Sequence, residues 1–396
     1  MNDMTLPQHA FSLAPHYREI LEQADRFARK ELHPLLPKMD DEEWWPEHLF
    51  PLLGANGFLG VTAPEALGGA GLDFFAQGLV AQAFSRWNAD AAMSMGAHDN
   101  LCVNNLVRNA SPALQQKYLP GLCAGTLVGA LGLTEPGAGS DALGGMRTTA
   151  RRDGDHYVLN GTKLFITNGP IADVILVYAK TSPERGAQGI SAFLVEKSCR
   201  GFSVAQKLSK MGLRGSPTGE LVFDDCCVPA ENLVGDEDRG VAITMSGLDL
   251  ERCYVSFFCL GIAERCLDLA LDYARTRKQF GRAIGEFQMV QQMIADMYTS
   301  IEALRSFTYQ VAAELNDLER GGGGRGEAHK RAAAVVLLAG QTATRCADAG
   351  VQIHGGSGFI WETEINRIYR GAKLGEIGAG TNEVRRVIIA RELLGL

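Results

Sequence analysis

The sequence has no apolar run long enough to cross a bilayer; its longest aliphatic stretch, Ala332 to Gly340, falls well short of the roughly 20 residues a spanning helix needs. It has no basic excess either. A formal net charge of −8 argues against a general nucleic-acid or membrane surface, so an anionic ligand would have to be held locally by a few arginines or a helix N-terminus. Nine cysteines occur without a CxxC pair or metal-like spacing, and the adjacent Cys226 and Cys227 read as strand side chains pointing to opposite faces. The opening MNDMTLPQHAFSL lacks a basic region ahead of an apolar core. These absences lead us to expect a soluble, cytoplasmic chain with reduced thiols, no bound metal, no membrane insertion and no nucleic-acid partner. One more absence is local. GEIGAGTNEVRR, Gly375 to Arg386, could bring backbone close to a ligand but has no acid or base at its centre, Ala379.

What is present fits two or three packed domains, with 396 residues of which 46% are hydrophobic. Over residues 1–125 apolar residues recur at helical spacing, as in REILEQADRFARKEL and FFAQGLVAQAFSRW, broken by APEALGGAG. Residues 126–237 change to short β-rich runs, DHYVLNG, DVILVYAK, ISAFLVE and GELVFDD, with Asp153-Gly154 and Asn160-Gly161 expected as hairpin turns. Long helical patterns return over 238–396. Runs of one type following runs of another exclude an alternating βα fold and predict an α+β, mainly α chain. GGGGRG, Gly321 to Gly326, formally matches GxGxxG but follows no strand, so it reads as a flexible interhelical loop.

Several stretches admit two readings. GLTEPGAGSD, Gly132 to Asp141, is a strand-to-loop turn or a set of amides and hydroxyls for a flat polar ligand. In LFITNG, Phe165 can stack on a ring and Thr167 bond its edge, or both simply end a strand. RTRKQFGR, Arg275 to Arg282, places four cations at a helix end, as a solvated face or as a diphosphate clamp. QIHGGSGF, Gln352 to Phe359, reads as a helix terminated by glycine, with His354 satisfied locally.

Together these stretches resemble the acyl-CoA dehydrogenase family along the whole chain. The likeness is greatest to its isovaleryl-CoA dehydrogenase branch, through GAHDNLCVNNL, LTEPGAGSD, MSGLDLER, RKQFGRAIGEFQ and EIGAGTNEVRR. The resemblance implies an N-terminal helical domain, a middle β-barrel-like domain and a C-terminal four-helix bundle, with FAD between the last two. It places Leu131, Gly132, Leu133, Thr134, Phe165, Ile166 and Thr167 against the isoalloxazine, and Ser140 where flavin and thioester meet. Arg277, Gln279, Phe280 and Gln288, with Gln352, Ile353, His354, Gly355 and Gly356, would hold the adenosine diphosphate of a neighbouring subunit's cofactor. Thr381, Asn382 and Glu383 would close the site. Phe165 stands where tryptophan is common, and a phenyl ring can still stack.

The implied chemistry removes a proton α to a thioester carbonyl while the β-hydrogen leaves as hydride to flavin N5. In many relatives the carboxylate base occupies the position of Ala379. The isovaleryl-type arrangement places it in LDLER, at Glu251. Read from periodicity alone, DLER is an exposed helical ion pair; the apolar run that follows it, Cys253 to Ile262, puts Glu251 at the edge of a buried surface where desolvation raises its pKa toward the range useful to a base. By resemblance Asp249 and Arg252 contact the CoA portion, and Ala379 N–H, with Gly380 beside it, holds the thioester oxygen. Val255 and Phe258 lie at i+4 and i+7 from Glu251 and are candidates to line the acyl pocket, while Phe257 points to the core. Isovaleryl-type relatives tend to carry glycines at Phe257 and Phe258, so a flat, cyclic or differently branched acyl group becomes a candidate substrate.

The expected function is therefore FAD-dependent dehydrogenation of a short or branched acyl-CoA, with an electron-transferring flavoprotein as acceptor and a homotetramer as the assembly. Three other readings remain: a dehydrogenase of acyl or aminoacyl groups on a carrier protein, an acyl-CoA oxidase, and a flavin-free scaffold.

Overall fold

The computed structural model describes residues 13–316 and 325–396. Helices fill the chain up to Cys123: α1 (Pro15–Phe27), α2 (Leu36–Glu42), α3 (Leu49–Ala55), α4 (Phe74–Trp87), α5 (Ala89–Gly96), α6 (Asn104–Asn109) and α7 (Pro112–Cys123). Capping chemistry sets several of their starts. Asp73, Asn88 and Ser111 accept from the backbone amides of Ala76, Ala91 and Leu114, and Pro112 sits where its missing N–H costs nothing. Between α5 and α6 the stretch Ala97–Val103 widens into a π-helical turn.

Eight strands follow: β1 (Gly129–Gly132), β2 (Thr149–Asp153), β3 (His156–Thr167), β4 (Val174–Lys180), β5 (Ile190–Glu196), β6 (Phe202–Lys207), β7 (Thr218–Pro229) and β8 (Leu233–Val234). They form one mixed sheet in the order β6-β7-β3-β2-β4-β5-β8, with β1 parallel to β4. β4 is buried through Ala179 because alternate residues serve two cores. Val174, Leu176 and Tyr178 pack with Leu119 and Leu122 of α7, while Ile175, Val177 and Ala179 pack with Phe193 and Phe223 of the sheet itself.

One of the two expected hairpin turns is not there. Gly154, at φ +63°, turns β2 into β3, with Asp153 opposite His156. Asn160-Gly161 instead lies inside β3, at a register shift against β7. Asn160 accepts from Asp225 N at 2.8 Å and donates to Asp225 Oδ1 at 3.0 Å. Gly161, at φ +152°, lies against Thr148 with no room for a Cβ. Asn-Gly here makes a bulge rather than a turn.

The C-terminal half contains α8 (Gly240–Thr276), α9 (Gln288–Asn316), α10 (Gly326–His354), the short α11 (Gly356–Phe359), α12 (Glu364–Ala372) and α13 (Asn382–Leu394). Helix α8 packs on α9 and α10 and also on α4, so one apolar core joins the first helices to the bundle. Gly78 of α4 makes that approach possible, since a side chain there would overlap the fully buried ring of Phe257. RTRKQFGR is only partly helical. Arg275 is in the last turn of α8 and Arg277 caps it, but Lys278 and Arg282 lie on a small hairpin of β9 (Lys278–Gln279) and β10 (Arg282–Ala283). Phe280 and Gly281, both at positive φ, form its two-residue turn. Gly321 to Gly324 of GGGGRG, like Met1 to Ser12 of the opening stretch, lie outside the described residues, and Gly326 is the first residue of α10.

Candidate active site

The first wall is built where β1 and β3 end. Lys163, wholly buried, donates to Leu133 O at 3.1 Å and to Glu135 Oε1 at 2.8 Å. Glu135 also accepts from the amides of Arg147 at 2.6 Å and Thr148 at 3.0 Å. Burial alone would raise the pKa of this carboxyl, but the ammonium and the amides outweigh it and hold it below the usual range. The turn Leu133–Thr148 is thereby fastened to the sheet, with Ser140 exposed on it. A register shift between Lys163 and Ile166 then throws Phe165 outward, at φ +61° and 63% exposed. Ile166 is buried and Thr167 half-buried, and Asn168 locks the strand end by donating to Ser94 O at 2.8 Å and Gly129 O at 3.2 Å. An outward aromatic ring beside Thr167 and the backbone of Leu131, Gly132, Leu133 and Thr134 is a surface for a flat ligand with polar edges.

The second wall is α8. Asp249 and Arg252 turn toward α10: Asp249 Oδ1 lies 2.6 Å from His329 Nδ1, and Arg252 Nη1 lies 3.6 Å from Asp249 Oδ1, all three buried. Glu251, two residues beyond Asp249 and so roughly 200° around the helix, faces α6 and the sheet. It is only partly accessible, and Asn105 Nδ2 donates to its Oε1 at 3.4 Å. Desolvation raises its pKa; the charge of Arg108, the Asn105 bond and Arg252 pull the other way, and Asp249 adds to the rise. The net direction is upward, the condition for a carboxylate that accepts a proton near neutral pH. Val255 is half-buried on this side, whereas Phe258 is 2% exposed within the main core cluster, packed rather than fronting open space.

The third element is the loop from Gly375 to Thr381. Ala379 and Gly380 both have left-handed backbone, at φ +55° and +94°. Thr381 caps α13 by accepting from Val384 N at 3.4 Å; Asn382 is buried and Glu383 exposed. Arg385, fully buried, donates to Gly375 O at 2.8 Å, Gly378 O at 2.6 Å, Val336 O at 3.3 Å and Asn382 Oδ1 at 2.9 Å. The loop reaches α8 at Cys259, against which Gly375 packs, about 12 Å along the axis from Glu251.

The remaining candidates gather elsewhere. Arg277, Gln279, Phe280 and Gln288 are exposed around the β9-β10 hairpin, Phe280 at 94%. His354 stacks on Tyr273 with ring centroids 4.3 Å apart and donates through Nδ1 to Gly350 O at 2.7 Å; Ile353 is buried, and Gln352, Gly355 and Gly356 are exposed. This cluster sits at the far end of α8, roughly 37 Å from Glu251 by helix rise. One chain therefore presents two separate halves.

Sequence reasoning passed over Glu135, Lys163, Arg108 and Arg385, which hold the site's loops and charges in place. Only Glu135 carried a signal, as the one charged side chain before Asp141 in GLTEPGAGSD. Among the described residues no cluster of three or more His, Cys, Asp or Glu side chains could hold a metal ion, and no helix is long and apolar enough to cross a membrane.

Three family models cover nearly the whole chain: "Acyl-CoA dehydrogenase, N-terminal domain" over residues 14–126, "middle domain" over 130–226 and "C-terminal domain" over 238–394. The mitochondrial isovaleryl-CoA dehydrogenase of Arabidopsis thaliana is 45% identical over 94% of this chain and 90% of its own. Butyryl-CoA dehydrogenase from Megasphaera elsdenii superimposes with a TM-score of 0.92 at 36% identity, covering 98% of this chain and all of that one. The structure of PigA with FAD and proline gives a TM-score of 0.91 at 34% identity, covering 97% and 99%.

Proposed function

The chain belongs to the acyl-CoA dehydrogenase family, and from that premise we propose that it oxidises a short or branched acyl-CoA to the 2-enoyl-CoA with Glu251 as base and FAD as electron acceptor. The observation that carries the assignment is Glu251 itself: a carboxylate with a raised pKa, on the face of α8 turned away from the buried Asp249–His329 pair. Ala379, where a carboxylate would otherwise be sought, has none to give.

The residues present fit FAD. Phe165 offers an exposed ring held out by a bulge, and Thr167 and the backbone of Leu131 to Thr134 lie beside it to bond the polar edge of an isoalloxazine. When bound, FAD supplies the acceptor for the β-hydrogen and its electron pair. Glu251 takes the α-proton, and the electrons of that C–H bond become the new double bond as the β-hydride departs. Ala379 N–H, in a loop clamped by Arg385, donates to the thioester oxygen and stabilises the enolate charge that develops there. Ser140 and Gly380 lie at the thioester in this reading, and Asp249 and Arg252 support the CoA side from within α8.

The second cluster explains itself if it serves a neighbouring subunit. Arg277, Gln279, Phe280, Gln288 and the Gln352–Gly356 turn are exposed and too far from Glu251 to complete the same site, so they hold the diphosphate part of a partner chain's cofactor within a homotetramer. An electron-transferring flavoprotein takes the electrons onward.

The test is anaerobic mixing of the FAD-loaded protein with straight, branched and cyclic acyl-CoAs while the flavin absorbance is followed. Wild type is expected to bleach with a short or branched chain, and Glu251→Gln to keep FAD and ligand binding but lose flavin reduction by several orders of magnitude, since an amide cannot accept the α-proton. Near-normal reduction by Glu251→Gln would show that another group is the base. Reduction only by a carrier-protein thioester, or rapid reoxidation in air, would replace the substrate or acceptor assigned here.

A further inference from the structure

The proposed chemistry leaves Arg108 without a role. This arginine lies in the last turn of α6, three residues after Asn105 on the same face, and is half-buried. Its Nε and Nη2 are buried with no hydrogen-bond partner among the described residues. Two buried guanidinium nitrogens without bonds are costly, and such a group calls for an explanation.

The space it occupies is specific. Gly247 lies one turn before Glu251 on α8, and the point where a Cβ would sit on Gly247 is overlapped by Arg108 Nη2 and lies 3.2 Å from Glu251 Oε1. Both head groups therefore converge over the one residue of that turn that lacks a side chain. Arg108 acts on Glu251 through its charge, while the hydrogen bond to the carboxylate comes from Asn105. A direct pair would fill the carboxylate's lone pairs; an offset cation stabilises the anion and leaves an oxygen free.

We propose that Arg108, seated over Gly247 beside the carboxylate, is a positioning residue for the base: its offset guanidinium favours the anionic form of Glu251 and leaves a carboxylate oxygen free. The proposal rests on the reading of Glu251 as base. The other groups that face Glu251 are Asn105 from α6, Asp249 and Arg252 from α8 itself, and the field of Tyr178 from β4. Asp249 opposes ionisation, and Arg252 is engaged with Asp249 and His329 on the α10 side. Of these groups Arg108 is the cation on the Glu251 side of the helix, and its charge opposes the desolvation there without outweighing it.

The experiment is the pH profile of kcat/KM for flavin reduction in three variants of the FAD-loaded protein. Arg108→Met removes the charge and is expected to move the acidic limb up by about 1–2 pH units, the size set by a unit charge a few ångströms away at an intermediate dielectric. Arg108→Lys keeps the charge and should recover part of that shift. Gly247→Ala changes no charge and improves helix propensity, yet displaces the guanidinium, so its limb should move in the same direction as that of Arg108→Met. If Arg108→Met or Gly247→Ala folds, binds FAD and keeps the wild-type limb, Arg108 is structural and the proposal is overturned. Loss of the limb's link to Glu251 is read separately: full reduction by Glu251→Gln refutes the base assignment whatever the arginine variants do.

Discussion

Replacing Arg385 by Met tests whether the glycine-rich loop owes its shape to a single side chain. Two of the four hydrogen bonds of Arg385 go to carbonyls of that loop, Gly375 at 2.8 Å and Gly378 at 2.6 Å, and none goes to a carboxylate. Bonds from a charged donor contribute about 1.5–3 kcal/mol each, so the pair is worth roughly 3–6 kcal/mol to the loop. Burying the guanidinium is itself unfavourable, as its depressed pKa of about 10 indicates, and Met avoids that cost. A net local loss of about 2–4 kcal/mol remains, which corresponds to opening of the loop some 30- to 1000-fold more often. Hydrogen exchange followed by mass spectrometry over residues 375–384 reads this directly. Flavin reduction should slow at the same time, because the amide of Ala379 is no longer held in one place. Lysine should not rescue, having no planar fork to reach two carbonyls. Exchange within threefold of wild type in a folded Arg385→Met protein would refute the reasoning.

Other outcomes follow from single residues. His98 is buried and neutral, accepting from Gly129 N at 2.9 Å and donating to Leu122 O at 3.1 Å, and burial lowers its pKa to about 4. A depressed folded pKa means stability present above the unfolded value of about 6.5 and lost as pH falls toward 4, so acidification from pH 7 to 5 should cost wild type about 2 kcal/mol more than His98→Gln, measured by denaturant unfolding. Asp90 and Asp99, both raised to about 6 by burial, work in the opposite sense between about pH 4 and 6 and are common to both proteins. Phe258→Ala should cost about 3–5 kcal/mol of stability, since the ring is packed into the main core; an altered acyl-CoA preference at unchanged stability would instead place it in the pocket.

The long helices and the Asp153-Gly154 hairpin were legible because periodicity and turn chemistry are local. Asn160-Gly161 was not, since the same dipeptide serves a turn or a bulge, and the choice was made by Asp225 and Thr148, far away in the chain. Lys278 and Arg282 were misplaced on a helix for a related reason: the chain leaves α8 at Arg277, whose backbone is extended, and reverses at the positive-φ pair Phe280 and Gly281, a conformation of which phenylalanine gives no hint. The site was half visible. Glu251 was put forward through the family resemblance of LDLER, with the apolar run after it as support, since periodicity alone reads it as an exposed ion pair. Arg108 and Arg385 could not, because an arginine at helical spacing looks like a solvated one until the glycine it covers or the carbonyls it holds are brought alongside.

Helix α4 has nearly every residue buried, much of it against α8. The two are far apart in time as well as in sequence. When a ribosome has released Trp87, roughly 190 residues must still be made before the end of α8 emerges, which at about 5–20 residues per second takes some 10–40 seconds. During that interval the apolar flank of α4 has no final partner, and Gly78 faces an empty place where Phe257 will later sit. The nascent N-terminal half therefore carries that apolar flank uncovered for its first seconds, and slowing translation between α4 and α8 would lengthen the exposure.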